Sequence, residues 1–296
     1  MNQTIKEIGK KIVGLIPSKP WISYRFKKLA HYKMDWKNPK TFNQKLQWLK
    51  LYDRKPIYTT MVDKYGAKKY VADIIGEEYI IPTLGVWDKF SDIDFDSLPN
   101  QFVLKCTHDS GGMCIVRNKS EFDKKQAKKK FKIALNRNPY SVDREWPYKN
   151  VKPRIIAEKY MQDGDSKFLP VYKFFCFDGR AKIVQVIQND KTPDETIDYF
   201  DREWNLLELR QNFPNSKTPL KKPECLDKML EIVDTLAQSK KNFIRVDLYI
   251  INGAIYFSEY TFFSDSGTAK FHPSHWDETL GSWITLPPKT KGRGRK

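Results

Sequence analysis

Two carboxylates stand in Arg245-Val-Asp247-Leu-Tyr-Ile-Ile-Asn252-Gly253-Ala-Ile-Tyr-Phe-Ser-Glu259-Tyr-Thr261, one on each of two apolar runs joined by Asn-Gly. Asn-Gly between alternating apolar residues is a strong hairpin signal, so the sequence predicts two antiparallel strands with Asp247 and Glu259 side by side. Carboxylates so placed offer an oxygen-only site suited to magnesium, which commonly arrives with the phosphates of a nucleotide. The same segment also reads as a surface hairpin with two solvated acids, and alone it does not choose between them.

Three further segments carry chemistry. Phe102-Val-Leu-Lys105-Cys-Thr-His108-Asp-Ser110-Gly111-Gly112-Met-Cys-Ile-Val116 reads as a strand ending in lysine, a small Gly-Gly loop and a second strand. Paired glycines let backbone amides approach an anion, and the lysine beside them brings charge to a phosphate. It is not a P-loop, because the spacing and the following helix are both missing. A tight hairpin connection explains the loop as well, and Ser110 has no base nearby in sequence to activate it. Arg154-Ile-Ile-Ala-Glu158-Lys159-Tyr160-Met161-Gln-Asp-Gly-Asp165 runs an apolar strand into a charged, aromatic hinge. Such a hinge offers backbone groups to an adenine edge and a carboxylate to a ribose, or is simply a strand leaving the core. In Val171-Tyr-Lys173-Phe-Phe-Cys-Phe177 the lysine is either the polar half of an alternating strand or a cation facing a ligand.

The elements that must position these residues change character along the chain. Up to about residue 75 the periodicity is helical. Ile5, Ile8, Ile12, Val13 and Ile16 form a short basic amphipathic helix that Pro17 and Pro20 are expected to break. That helix suits a membrane surface or packing onto its own domain. Further helices are predicted from Asn43 to Leu51 and from Tyr65 to Ile75, the latter stopped by Gly76. Strands are predicted at Tyr79–Ile81, Phe102–Cys106, Met113–Val116, Arg154–Tyr160, Phe168–Phe177, Ala181–Gln188, Phe243–Ile251 and Ala254–Glu259, with a second hairpin turn at Asp178-Gly179. Helices are predicted at Glu121–Leu135 and Pro223–Ser239. Antiparallel hairpins with helices between them indicate an α+β architecture.

Composition narrows the class. With 296 residues, 40% hydrophobic and 30% charged, the chain is globular and long enough for two domains at the usual ~150 residues each. No run reaches the ~20 apolar residues of a membrane span, and the first residues lack the apolar core of a signal peptide. The chain reads as cytoplasmic, with the inner membrane face as an open alternative. Four cysteines show no Cys-x-x-Cys spacing and read as small hydrophobes, and the four histidines lack zinc-type partners. The net charge of +17 favours an acidic partner. Five of those charges lie in 289–296, a Gly-interleaved tail read as disordered, and the body is basic without them. A second cluster, Glu121 to Lys132, reads as a Lys-rich solvated helix face. Base-reading motifs and aromatic-basic interleaving are missing, which argues against specific nucleic-acid binding.

The order of the pieces resembles the ATP-grasp superfamily: Asp63-Lys64, the strand ending at Lys105 with its Gly loop, the Glu158 hinge, Asp165, then Arg245-x-Asp247 and Glu259-x-Thr261. The hinge, with Asp165 following it, is similar to the adenine and ribose site of D-alanine:D-alanine ligases. More closely, the chain resembles the teichuronopeptide-biosynthesis (TupA-like) ATP-grasp proteins over about residues 40 to 287. The residues that carry this are Thr41-Phe-Asn-Gln-Lys-Leu-Gln-Trp-Leu-Lys-Leu-Tyr-Asp53, Asp63-Lys-Tyr65, Phe102-Val-Leu-Lys-Cys106, Tyr172-Lys-Phe-Phe-Cys-Phe-Asp-Gly179, Arg245-Val-Asp-Leu-Tyr249 and Phe257-Ser-Glu-Tyr-Thr-Phe262.

The resemblance implies an ATP and magnesium site between two α+β subdomains, with the loop of His108, Ser110, Gly111 and Gly112 as a lid over the phosphates. Lys64 and Lys105 would contact phosphates, Glu158, Lys159, Tyr160 and Met161 adenine, and Asp165 ribose. Asp247, Glu259 and Thr261 would hold magnesium. Arg245, and with it Lys173, would face the transferred phosphoryl group. Thr261 departs from the usual Glu-x-Asn, and a hydroxyl is the weaker ligand. Organisation would follow as a helical region 1–75, a core 76–288 divided into a lid-bearing part 76–160 and a metal and acceptor part 161–288, and the tail. The implied activity is a ligase that activates a uronic acid carboxylate of a surface polysaccharide as an acylphosphate and joins it to an amino acid or amine. A glycan kinase on the same ATP site and a glycosyltransferase of capsule or polysaccharide biosynthesis are the alternatives.

Overall fold

The structure, a computed structural model, describes residues 13–109, 111–164 and 169–289. The expectations placed on Ser110, Asp165, the start of the N-terminal amphipathic helix and the tail beyond Lys289 lie outside these residues.

Helices come first. The helical run whose last described residues are 13–15 stops before Pro17, as expected, and a new helix, α1 (Ser18–Ala30), follows with Pro17 as its cap and Pro20 in its first turn, where proline is tolerated because those amides have no partner. α2 (Phe42–Tyr52) starts on a capping box, Thr41 accepting from the Gln44 amide while the Gln44 side chain returns to the Thr41 amide. α3 (Ile57–Val62) and α4 (Gly66–Ile75) follow, and Gly76 closes α4 at φ 110°, a conformation open to glycine. The strand expected at Tyr79–Ile81 is not formed. Glu77–Tyr79 is a 3₁₀ turn, and Pro82, without an amide, delays the strand until β1 (Thr83–Trp87).

β1, β2 (Phe102–Cys106), β3 (Met113–Val116) and β4 (Ile155–Lys159) form an antiparallel sheet in the order β1-β4-β2-β3. Between β3 and β4 lie α5 (Lys124–Leu135) and the short α6 (Pro139–Asp143). α5 begins later than its sequence suggested, because Asp123 accepts from the Gln126 amide and fixes the cap there. Its buried Phe131 packs with Phe90, and Phe102 and Phe95 complete a small apolar core under this sheet.

The second sheet is larger. β5 (Val171–Phe177), β6 (Arg180–Gln188), β7 (Thr196–Phe200), β8 (Ile244–Ile251) and β9 (Ala254–Thr261) are all antiparallel, in the order β7-β6-β5-β8-β9. α7 (Leu226–Ala237) packs on β5, β6 and β8, and Phe42 of α2 meets Phe175, Phe177 and Phe243 from the helical region. α2, α3 and α4 thus share one core with the five-stranded sheet. α8 (His275–Ser282) seats against α2, where Asp277 accepts from the Asn43 amide at 2.9 Å.

Two departures in this half matter for the site. β7 and α8 carry too short a pattern to stand out in sequence. The β8–β9 hairpin turns at Asn252-Gly253, φ 50° and 77°, as an Asn-Gly turn requires. From there the register runs Ile251↔Ala254 to Leu248↔Phe257, then slips by one residue so that Asp247 pairs with Glu259 and Arg245 with Thr261.

Candidate active site

An uninterrupted hairpin would have set Asp247 opposite Ser258. Side chains alternate between faces, so Glu259 and Thr261 would then have pointed away from Asp247. The β-bulge at Ser258 turns both onto the face that Asp247 occupies. Ile255 and Phe257 remain in the core before the bulge, and Tyr260 and Phe262 take their place after it. The adjacent polar pair Ser258-Glu259 breaking the apolar alternation is the sequence signal for this.

One rung now runs across the whole sheet, because Tyr199 pairs with Gln185, Gln185 with Lys173, Lys173 with Asp247 and Asp247 with Glu259. Arg245 grips Asp247 through two hydrogen bonds, both 2.7 Å, and donates to the Thr261 hydroxyl at 2.9 Å. Lys64 reaches Glu259 at 3.2 Å, and Lys173 lies 4.0 Å from Asp247. Burial in the recess works against the charge of Glu259, but Lys64, Arg245 and Lys173 outweigh it and hold the carboxyl down at about 2. Burial and Arg245 lower the Lys173 ammonium. At the other end of the rung Gln185 donates to the Tyr199 hydroxyl at 2.6 Å, and that hydroxyl donates to Gln211. Both of these buried residues escaped the reading of the sequence.

A cavity of about 350 Å³ opens between the two sheets next to this rung. Val103, Met113 and Ile115 form one wall, Val171 and Tyr249 the other, and the hinge Glu158 to Met161 closes one side. Val171 and Tyr249 stand two residues along from Lys173 and Asp247, on the same face. The apolar cavity and the charged rung are therefore parts of one continuous surface. Lys105, at the end of β2, meets Glu158 at 2.6 Å, and Lys68 of α4 meets the other oxygen of Glu158 at the same distance. Burial alone would raise the Glu158 carboxyl; the two ammonium groups prevail and hold it at about 2. Glu158 in turn lifts Lys105 to about 12, against the effect of burial. Lys68 was not singled out in sequence, since only the packing of α4 on the hinge brings it there.

The remaining expected residues fall around these two clusters. Lys159 and Tyr160 line the cavity, and Tyr160 accepts from Arg117 at 3.3 Å. His108 is buried and spends Nε2 on the carbonyls of Ala134 and Arg137 at the end of α5. Gly112 is a packing glycine: a Cβ there would lie 2.5 Å from Cys106 Sγ and 2.8 Å from the Ala134 Cβ. Gly111 donates to Asp109 at 3.0 Å, within the loop. Lys64 is held in place by its own amide, which donates to the Thr107 carbonyl at 2.9 Å.

A lysine-lined apolar cleft between two sheets, opening onto paired acids and an arginine, has the parts of a nucleotide site. A model of the TupA-like ATP-grasp family matches residues 44–285. No curated protein matches the sequence. Among solved structures, D-alanine-D-alanine ligase of Bacillus anthracis with ATP is 16% identical over 74% of this chain and 55% of that one, TM-score 0.38. L-amino acid ligase of Bacillus licheniformis is 14% identical over 75% of this chain and 45% of that one, TM-score 0.43. The ATP-grasp ligase PsnB, complexed with a minimal precursor, Mg and ADP, is 10% identical over 74% of this chain and 57% of that one, TM-score 0.39. The chain spans little more than half of the first and third of these proteins and 45% of the second. On the strength of the family match the chain belongs to the TupA-like ATP-grasp family, within a superfamily of ATP-dependent ligases, and its α+β fold is the ATP-grasp fold.

The family implies magnesium. Among the described residues no three acidic, histidine or cysteine side chains converge as a ready-made metal cage. Two carboxylates on neighbouring strands beside cations instead fit an ion that takes one or two carboxylates and completes its shell with phosphate oxygens and water. Asp247 and Glu259 would hold it, with the Thr261 hydroxyl on the same face.

Proposed function

We propose that this chain is an ATP- and magnesium-dependent carboxylate-amine ligase acting on a surface polysaccharide in the cytoplasm, with the inner face of the membrane as the alternative place. The acceptor would be a uronic acid carboxylate and the nucleophile an amino acid or other amine. The observation that carries the reading is the continuity of the hinge cavity with the Arg245–Asp247–Glu259 rung on shared strands β5 and β8. The cavity suits a base and its ribose, and the rung suits a polyphosphate and a second anion. Among the described residues no helix is long and apolar enough to cross a membrane.

In this reading Glu158 to Met161 border the adenine, Lys105 and Lys64 meet phosphate oxygens, and Arg245 with Lys173 faces the γ-phosphoryl group. The acceptor carboxylate oxygen attacks the γ-phosphorus, the bond to the bridging oxygen breaks, and ADP leaves. The amine nitrogen then attacks the acyl carbon and gives up a proton, and phosphate departs with its electron pair. Bound magnesium would supply charge neutralisation at the phosphates. Fixed cations on rigid strands would stabilise the charge that develops during transfer, and they need no rearrangement of solvent to do so. His108 has no place in contact with nucleotide in this account; it anchors the loop.

The test is phosphate release from ATP and magnesium with a panel of uronic acids and amino acids. Release that requires both substrates supports the ligase. A stable phosphorylated acceptor with no amine requirement would replace it by a glycan kinase. Stabilisation against heat by UDP-sugars and not by ATP would replace it by a glycosyltransferase.

A further inference from the structure

Among the described elements α5 is the most one-sidedly charged. It carries Lys124, Lys125, Lys128, Lys129, Lys130 and Lys132 and no acid among its 12 residues. All six lysines are exposed, and among the described residues none is paired with a carboxylate. The two nearest acids are engaged elsewhere: Asp123 caps the helix and Glu121 accepts from Asn118 at 2.9 Å. The ligase chemistry uses none of this charge.

Three observations define what such a face can hold. Twelve helical residues span about 18 Å, so the lysines meet several successive charges of an extended chain, where a small anion would meet one or two. The face is built from lysines, hydrated point charges without the planar fork or the stacking surface used on phosphates and bases. The apolar side of α5, Ala127, Phe131 and Ala134, is already buried in the small core, and Ile133 alone among its large apolar residues is exposed, too little to enter a lipid layer. A flexible polyanion in solution fits better than a nucleic acid or a membrane.

The location adds to this. The end of α5 is fastened to the loop beside the nucleotide cavity: His108 donates to the carbonyls of Ala134 and Arg137 at 3.2 and 3.1 Å, and Arg137 lies 3.6 Å from Asp109. The small sheet stands between the two: Phe102, Leu104 and Val116 pack towards α5, while Val103, Met113 and Ile115 on the opposite face line the cavity.

We propose that the lysine face of α5 is a docking surface for a linear carboxylate polymer, distinct from the reacting site and on the other side of the small sheet from its cleft. The proposal rests on the ligase reading, for which it supplies a means of keeping a polymeric acceptor near the cleft between turnovers. Long-range attraction of this kind raises local concentration and weakens with salt.

The experiment measures binding of polygalacturonate, at low and moderate salt, to the chain and to a variant with Lys125→Gln, Lys128→Gln, Lys129→Gln and Lys132→Gln. These exposed side chains take no part in the core, and unchanged melting and unchanged MgATP binding verify the variant. The expected result is affinity at least about tenfold lower in the variant, with a shallower salt dependence. Equal affinity in the two proteins would overturn the proposal. So would tighter binding of the parent chain to phosphatidylglycerol vesicles, single-stranded RNA or neutral dextran than to the polymer. Binding is read without turnover, so a chain that holds polymer through α5 but consumes no ATP with any carboxylate would remove the ligase reading and leave the docking surface standing.

Discussion

The two charged clusters of the site are built on opposite principles. At the hinge a single carboxylate, Glu158, only 7% exposed, stands between Lys68 and Lys105 against an apolar wall. On the rung two carboxylates face Arg245, Lys64 and Lys173, and Glu259 is 36% exposed. At the hinge Glu158 spends both oxygens on its two lysines, and these pairs brace α4 against the two strands that carry the cluster. In the proposed reading the rung is a set of exchangeable pairs: an arriving polyphosphate would offer its cations better partners and free Asp247 and Glu259 for a metal. On that proposal Glu158 would hold the cleft in shape, and the rung would change partners.

Substitutions that remove charge without changing shape break this contrast most sharply. Glu158→Gln leaves two lysines facing each other with no counter-charge, and we expect a loss of about 3 kcal/mol in unfolding free energy by denaturant titration. The same pairing sets an acid limb. The folded carboxyl at about 2 lies below its ordinary 4.5, so its stabilisation is complete above about pH 4.5 and is lost as pH falls towards 2. In Glu158→Gln the decline of melting temperature over that interval should be shallower; an identical decline would remove Glu158 as its source.

On the rung the expected loss is in turnover. Glu259→Gln should lower ATP consumption by about 100-fold or more while moving the melting temperature little, and turnover within about threefold of the parent would refute the metal assignment. Asp247→Asn is the less clean test, because it also strips the buried Arg245 of its forked partner. A smaller effect is expected from Lys105→Ala, about tenfold weaker nucleotide binding by calorimetry, since one of several phosphate contacts is lost. The smallest, within about threefold in turnover, should come from Thr261→Asn, which brings back the superfamily's amide at a place where the threonine hydroxyl already accepts from Arg245. A gain above tenfold there would show that the hydroxyl limits the metal site.

Much of the fold was legible because local chemistry and tertiary structure agree in it. Phe102–Cys106 and Met113–Val116 fall where their apolar runs end, and Asn252-Gly253 turns where its positive φ angles require. Elsewhere the signal was local and the outcome was not. Pro20 looks like a breaker until its place in a first turn is known, and Thr196–Phe200 becomes a strand only because β6 offers it an edge. Of the site, Lys105, Lys159, Tyr160 and Met161 were visible as types in order, and they do meet at one cavity. Lys68 was one lysine among many on a helix, and nothing near it in sequence announces Glu158 ninety positions away.

The hairpin from Arg245 to Thr261 divides the two kinds of information most clearly. By itself the sequence determined the turn, the two strands and the presence of an acid on each. The acids do stand side by side as the hairpin suggested, but the turn and the strand period do not by themselves put them on one face. A strand alternates its side chains with a period of two, so counting outward from Asn252-Gly253 puts Glu259 on the opposite face from Asp247. Only the extra residue at Ser258 reverses that parity, and it is held because Tyr260 and Phe262 then fill the core beyond it. Packing, acting over the whole sheet, chose the register that brings Asp247, Glu259 and Thr261 together.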